Sequence, residues 1–222
     1  MVKHLPATSI SRRHVLRCLT STAAATVLCR GRAVHADDGW QSLFDGRSLG
    51  QWKPTEFGGE GAVTVDDGRI VLAMGGNLTG VTWTGEVPTG DYEIELQAMR
   101  LAGSDFFCGL TFPVHTVHCS LIVGGWGGAL VGLSSLNFHD AADNSTTTSR
   151  HFDNARWYTI RVRVTGPRIQ AWIDDEPVVD VDTTGKRVSV RAEVFESRPL
   201  GIAAWQTKAA LRNVRLRTVL AG

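Results

Sequence analysis

Trp157-Tyr158-Thr159-Ile160-Arg161-Val162-Arg163-Val164-Thr165 decides the fold class. Tyr158, Ile160, Val162 and Val164 alternate one for one with Thr159, Arg161 and Arg163. A helix would scatter those apolar side chains around its axis; a strand sends all four to one face. One buried and one wetted face is the pattern of an antiparallel sheet packed on one side only. Tyr92, Ile94 and Leu96 alternate with Glu93, Glu95 and Gln97 in the same way.

The same signal continues on both sides. Ala62–Val65 and Arg69–Leu72 flank Asp66-Asp67-Gly68, where Asp-Gly between β-branched runs marks a hairpin. Arg168–Ile173 and Val178–Val181 flank a turn at Asp174-Asp175-Glu176-Pro177, and Trp40–Phe44 runs into another at Asp45-Gly46. Gly201–Gln206 and Leu211–Thr218 close the pattern. Helical periodicity is absent except for a short turn near Ala192–Ser197. About a dozen short strands with regular turns predict an all-β, two-sheet antiparallel sandwich in one domain. Trp40, Trp52, Trp157 and Trp172 are expected in its core, and Arg161, Arg163, Arg212, Arg215 and Arg217 on a solvated sheet face.

Residues 1–36 hold six basic residues and no acidic one. Ser11-Arg12-Arg13-His14-Val15-Leu16-Arg17 fits a twin-arginine export pattern, and an apolar region Cys18–Cys29 and Val34-His35-Ala36 follow. The apolar run is short of the roughly 20 residues of a spanning helix, and Leu28 is too large for a lipid-attachment site at Cys29. The expectation is a cleaved leader over 1–36, a periplasmic or secreted domain, and no transmembrane segment after cleavage. Without those six bases, 17 of the 23 remain against 22 acids, a net charge of −5. Such a surface has no footprint for nucleic acid or an anionic membrane.

The stretch Ser104–Asn144 is where a site is expected. Apolar strand segments alternate there with glycine, which admits close approach of a backbone or ligand, and Trp126 sits within Gly124–Gly128. His139–Ser149 reads as a long exposed loop. Asp105, His139, Asp140, Asp143 and Asn144 are the polar candidates; the alternatives are a turn cap for Asp105 and plain loop residues for the rest. A carboxylate or imidazole among Phe106, Phe107 and Trp126 would have its pKa moved towards neutrality. Trp126 and Trp205, with Gln206 beside it, suit stacking on the apolar face of a sugar.

In an oxidising compartment Cys108 and Cys119 are either a disulfide or a pair of buried thiols. A hairpin centred on Pro113-Val114 would place them opposite each other, but proline resists the positive φ of a two-residue turn. His115-Thr116-Val117-His118 lacks a matched carboxylate, so no metal is assigned to it, although a divalent metal requirement stays open. Asp174, Asp175, Glu176, Asp180 and Asp182 lack calcium-loop spacing. No nucleophile elbow, Walker loop or dinucleotide fingerprint occurs.

Gly39-Trp40-Gln41-Ser42-Leu43-Phe44-Asp45-Gly46 with Leu49 and Trp52 resembles the opening of the 3-keto-disaccharide hydrolase domain family. Ala155–Val162 with Arg168–Asp175 resembles its penultimate hairpin, and Pro199–Gln206 with Leu211–Leu216 its closing strands. The resemblance covers residues 39–218. It implies a concanavalin A-like jelly roll of two curved sheets with sugar on the concave face, and hydrolysis of 3-keto-glycosides. A 3-keto group acidifies the proton on C2, so a base there, a donor at the keto oxygen and an acid for the leaving group would suffice. On that reading Asp105, His139 and Asp140 are catalytic and Trp126, Asn144, Trp205 and Gln206 bind substrate. Many relatives carry an arginine and a Glu/Gln pair that Gly103–Leu110 and Cys119–Val123 lack here. The alternative is a non-catalytic carbohydrate-binding or adhesion domain on the same scaffold.

Overall fold

The computed structural model describes residues 39–219; the leader, with Cys18 and Cys29, lies outside the described residues. Fifteen strands form: β1 Gln41–Ser42, β2 Trp52–Pro54, β3 Val63–Asp66, β4 Arg69–Leu72, β5 Leu78–Trp83, β6 Tyr92–Ala102, β7 Cys108–Val114, β8 Val117–Gly125, β9 Leu130–Ser134, β10 Thr148–Ser149, β11 Tyr158–Thr165, β12 Arg168–Ile173, β13 Glu176–Asp182, β14 Gly201–Trp205 and β15 Lys208–Thr218. One 3₁₀ helix, Ala192–Ser197, falls where the sequence placed a short turn. The first sheet runs β13-β12-β11-β6-β15-β4-β3 with β1 also on β15; the second runs β10-β9-β8-β7-β14-β5-β2. Non-sequential neighbours in two antiparallel sheets make a jelly-roll sandwich.

Local chemistry sets the register. Asp67 and Gly68 have φ of 48° and 73°, the type I′ geometry whose twist matches the flanking strands. Asp174 and Asp175 make the corresponding turn with φ of 51° and 64°, and Asp174 Oδ1 accepts from the Thr159 amide at 2.9 Å. Between β7 and β8, Val114 faces Val117, so the turn is His115-Thr116 rather than Pro113-Val114. That shift excludes the disulfide. Cys108 pairs with Val123 and Cys119 with Phe112, so the two cysteines lie four positions apart along β8. At about 3.3 Å per residue that is roughly 13 Å, far beyond a disulfide's reach. Both are buried free thiols.

Alternation assigns the faces. Tyr92, Ile94, Leu96, Tyr158, Ile160 and Val162 from one sheet meet Leu110, Phe112, Leu121, Val123 and Leu133 from the other in the central core. Trp52 is in that core, packed on Trp83 at 5.2 Å, but Trp40, Trp157 and Trp172 are not. They pave the outside of the first sheet beneath the arginines: Trp172 under Arg161 and Arg163, Trp157 under Arg212, Trp40 under Arg215 and Arg217. A guanidinium on an indole face is stabilised by the ring quadrupole, so each residue shields the other from the need for a core. Glu93 lies fully buried in this layer between Arg163 and Arg217.

A smaller apolar cluster sits on the outer face of the second sheet, built from Leu78, Phe106, Ile122, Ala141, Val190, Val194 and Ala203. The 3₁₀ segment and the loop after β9 cover part of that face. Gly132 permits the second covering, because a Cβ there would stand 2.8 Å from the Ala141 carbonyl. The region His139–Ser149 is accordingly more than an exposed loop, with Ala141 and Thr146 buried.

Candidate functional site

A cleft of about 270 Å³ opens on the outer face of the second sheet, lined mainly by apolar groups. Ile122 of β8 and Leu78 of β5 belong to its floor, Phe106 and Asp105 to the connection before β7, and Trp126 and Trp205 to two strand ends. Arg191, Glu193 and Val194 supply the wall contributed by the 3₁₀ segment. Ser120 and Ser134 complete the lining as cross-strand neighbours on β8 and β9.

Asp105 is held in place by its backbone. Its amide donates to Thr207 Oγ1 at 3.2 Å, its Oδ1 accepts from the Phe106 amide at 2.7 Å, and its Oδ2 accepts from the Gly127 amide at 3.5 Å. Trp205 is tied to the same connection: its amide donates to the Phe106 carbonyl at 3.0 Å and its ring lies 6.5 Å from that of Phe106. Trp126, 47% exposed, tops a tight turn with φ of 47°.

The glycines around Trp126 have a specific purpose. The group that approaches them is Arg100, buried under the turn, whose Nη2 donates to the carbonyls of Gly128 at 2.8 Å and Gly124 at 3.3 Å. A Cβ on Gly124, already at φ +78°, would stand 2.6 Å from that nitrogen. Arg100 has no carboxylate salt bridge among the described residues, and its ring-face contact is Phe107 at 5.2 Å. Burial lowers its pKa, partly opposed by the charge of Asp105. The close-approach signal in the glycines was legible; that the approaching group is an arginine of β6, 24 residues before Gly124, was not.

Electrostatics separates the carboxylates of this region. Arg191 bridges Glu193 at 2.7 Å and Asp140 at 2.7 Å. The hydrogen bond from Arg191 holds the Glu193 carboxyl below its ordinary range, and Glu193 in turn raises Arg191. Glu193 is therefore a fixed anion rather than a proton donor. Asp105 is the carboxylate of the lining that has no salt bridge among the described residues. Ser134 Oγ is buried without a protein partner, whereas Ser120 Oγ shares a hydrogen bond with Thr111 Oγ1 at 2.8 Å.

The chain matches the model of the 3-keto-α-glucoside-1,2-lyase-like domain over residues 39–217. The chain belongs to this family. No curated protein matches the sequence significantly. Among solved structures, the fold is similar to a Parabacteroides distasonis protein classed as a glycosyl hydrolase, at 12% identity and TM-score 0.53, covering 82% of this chain and 95% of that one. It is similar to the Crh5 transglycosylase bound to NAG, at 12% identity and TM-score 0.56, covering 82% and 85%. It is also similar to the lumenal domain of VIP36 with calcium and Man3GlcNAc, at 10% identity and TM-score 0.52, covering 82% and 89%. The jelly roll is thus one shared by carbohydrate-active enzymes and lectins, and the fold alone does not choose between them.

Of the residues singled out by sequence, Asp105, Trp126 and Trp205 meet in the cleft of this family member. Asp140 reaches its wall only through Arg191. His139 pairs with Asp143 at 3.0 Å, 58% exposed, outside the lining. Asn144 organises its own loop: its carboxamide donates to the carbonyls of Leu133 and Asp140 at 2.7 and 2.6 Å and accepts from Thr146. Gln206 donates to the Gly76 carbonyl at 3.0 Å, outside the lining. Phe107 points into the central core, so only Phe106 and Trp126 of the expected aromatic surround face Asp105's cleft. Ser120, Ser134, Arg191 and Glu193 were not foreseen; a period-two reading of β8 and β9 would have put both serines on the outer face. Among the described residues, no group of three or more His, Cys, Asp or Glu is arranged to hold a metal. Nor is any described helix long and apolar enough to cross a membrane.

Proposed function

We propose that this protein is an exported glycoside-active hydrolase that cleaves 3-keto-glycosides in the cleft at Asp105. The observation that carries the reading is the meeting, among the described residues, of one carboxylate outside any salt bridge, two tryptophans and an unpartnered serine hydroxyl in a single apolar cleft. The tryptophan rings would pack on the apolar faces of the sugar. Asp105 would take the proton from C2 as the C1–oxygen bond breaks, and the electron pair passes into the new C1–C2 double bond of an enone. The leaving oxygen takes up a proton, and water adding across that double bond completes hydrolysis. Ser134 Oγ–H is positioned to donate to a carbonyl or hydroxyl oxygen of the sugar, which would satisfy a buried group that the protein leaves unpaired.

A second reading, a glycan-binding domain without turnover, is favoured by one feature: Glu193 and Asp140 are both committed to Arg191, so the cleft lacks a second carboxylate fit to act as acid. Turnover of a 3-keto-glycoside and its unoxidised parent, with EDTA and with added divalent metal, decides between them. Aglycone release from the keto substrate alone, reduced about 10²–10⁴-fold by Asp105→Asn, supports the hydrolase. Saturable glycan binding without turnover in either condition sinks it and leaves the binding domain. Location outside the cytoplasm rests on the leader pattern, and protease protection of the intact cells' protein tests it.

A further inference from the structure

A second cavity, about 700 Å³ and more polar than the first, lies beyond the 3₁₀ segment. Its lining comes from the β7–β8 turn (Val114–His118), from residues 183–190, and from Phe195 and Arg198. Lys186, Arg187 and Arg198 are all in the lining, with His115 and His118, and no Asp or Glu is. This is unusual in a domain whose net charge beyond residue 36 is −5.

Two of these bases have no salt bridge among the described residues. Most arginines of the domain pair with carboxylates, as in the ladder on the first sheet. Arg187 instead stacks on Phe138 at 4.5 Å, and Arg198 on Phe195 at 4.4 Å, each without an acidic partner among the described residues. Arg198 Nε donates to the Phe195 carbonyl at 2.8 Å, and Lys186 Nζ to the Asp182 carbonyl at 2.5 Å. The Asp182 carboxylate accepts from the Thr184 amide at 2.7 Å and is held below its ordinary range first by that bond and also by the charge of Lys186, so Lys186 is the partly compensated base of the three. Stacking fixes a guanidinium without using up its in-plane donors, which is how arginine is presented to a bidentate anion. Burial, and then the charge of Arg198, lower the pKa of His118, so it faces the cavity as a neutral ring at pH 7.

The apolar part of the lining, Val114, Val117, Val188, Val190 and Phe195, excludes a bare ion as the best fit. A ligand with both an anionic group and an apolar face matches the mixture. The position adds to this: His118 and Ser120 are successive outward residues of β8, one in each cavity, and the segment Val190–Phe195 contributes to both. A chain of sugar units following β8 would therefore pass from one to the other.

We propose that this cavity is a subsite for an acidic sugar unit, its carboxylate or sulfate held by Arg187, Arg198 and Lys186. The saccharide part rests on the reading of the neighbouring cleft; the anion part does not. Calorimetric titration of the purified protein with trigalacturonate, a sulfated galactotriose and neutral galactotriose tests it, alongside Arg187→Gln/Arg198→Gln and, separately, Lys186→Gln. The expected result is that one or both acidic ligands bind, weaken with added salt, and lose at least ten-fold in affinity in the double variant while its melting temperature holds. The Lys186→Gln variant is expected to lose less, in the same direction. Neutral galactotriose binding as tightly as the acidic ligands, or acidic ligands indifferent to both substitutions, overturns the proposal. Acidic binding that survives Asp105→Asn, in a protein that does not turn over 3-keto-glycosides, would support this subsite while refuting the hydrolase.

Discussion

Replacing Glu93 by Gln is expected to destabilise this domain without disturbing either cavity. The Glu93 side chain has no exposed surface, and its two oxygens accept separately from two arginines: Arg163 Nε on Oε1 at 2.5 Å and Arg217 Nε on Oε2 at 2.6 Å. Gln keeps the volume but turns one of those acceptors into an NH₂ facing a guanidinium. Breaking a buried ion pair from one side costs about 3–5 kcal/mol, because the partner charge is left without compensation. Here the partners are 34% and 28% exposed and regain some water, so the lower end, about 3 kcal/mol, is expected. At roughly 2–4 °C per kcal/mol for a domain of this size, the melting temperature should fall by about 6–12 °C. Urea unfolding followed by tryptophan fluorescence suits the assay, since Trp40 stacks on Arg217 at 4.6 Å and reports the same layer. A double-mutant cycle with Arg163→Met should return a coupling of about 1 kcal/mol or more. A loss below about 0.5 kcal/mol, the range of an ordinary surface substitution, would show that the layer behaves as a solvated surface and refute the reasoning. Ligand affinity measured well below the melting temperature should not change, because Glu93 lies on the sheet that carries neither cavity.

Other outcomes follow from the same geometry. Burial pushes the Cys119 thiol up to about 12 and Cys108 higher still, so neither should react with a thiol reagent at pH 8 until denaturant is added; fast labelling of either in the folded domain would contradict their burial. Trp205→Ala should weaken glycan binding by roughly ten-fold or more if the ring stacks on sugar, read by titration against Trp157→Ala, whose indole lies on the other sheet. Gly124→Ala should cost about 1–3 kcal/mol, through a strained φ and collision with Arg100, and should shift Trp126 fluorescence more than Gly127→Ala, whose Cβ meets open space. The His118 pKa is lowered in the folded state, so the unfolded chain takes up this proton first; stability should fall as pH drops from about 6.5 towards the folded value, and His118→Gln should flatten that part of the profile.

The strand alternation carried the architecture because it depends only on which residues avoid water. Tyr158–Val164 and Tyr92–Leu96 could bury their apolar halves in no other way, and Asp67-Gly68 could hardly turn otherwise. The tryptophans show the limit of that logic. Hydrophobicity sent Trp40, Trp157 and Trp172 to the core, but each has an arginine for a neighbour across strands, and an indole capped by a guanidinium is stable outside. Cys108 and Cys119 show it again. Their separation along the chain suited a bond, and a two-residue displacement of the hairpin centre moved them about 13 Å apart.

The family followed from ordered motifs along 39–217, while Asp105, Trp126 and Trp205, singled out residue by residue, line one cleft from strand ends and turns. The tertiary structure alone decided which polar residues stand beside them. Asn144 satisfies carbonyls of its own loop, His139 holds Asp143, and Arg191, 51 residues from Asp140, ties it to Glu193. Ser134, Arg191, Arg187 and Arg198 entered their cavities through pairings between distant strands and a crossing 3₁₀ segment. A chain's own period tells which face a side chain takes; only the closing of distant segments tells which other side chains share it.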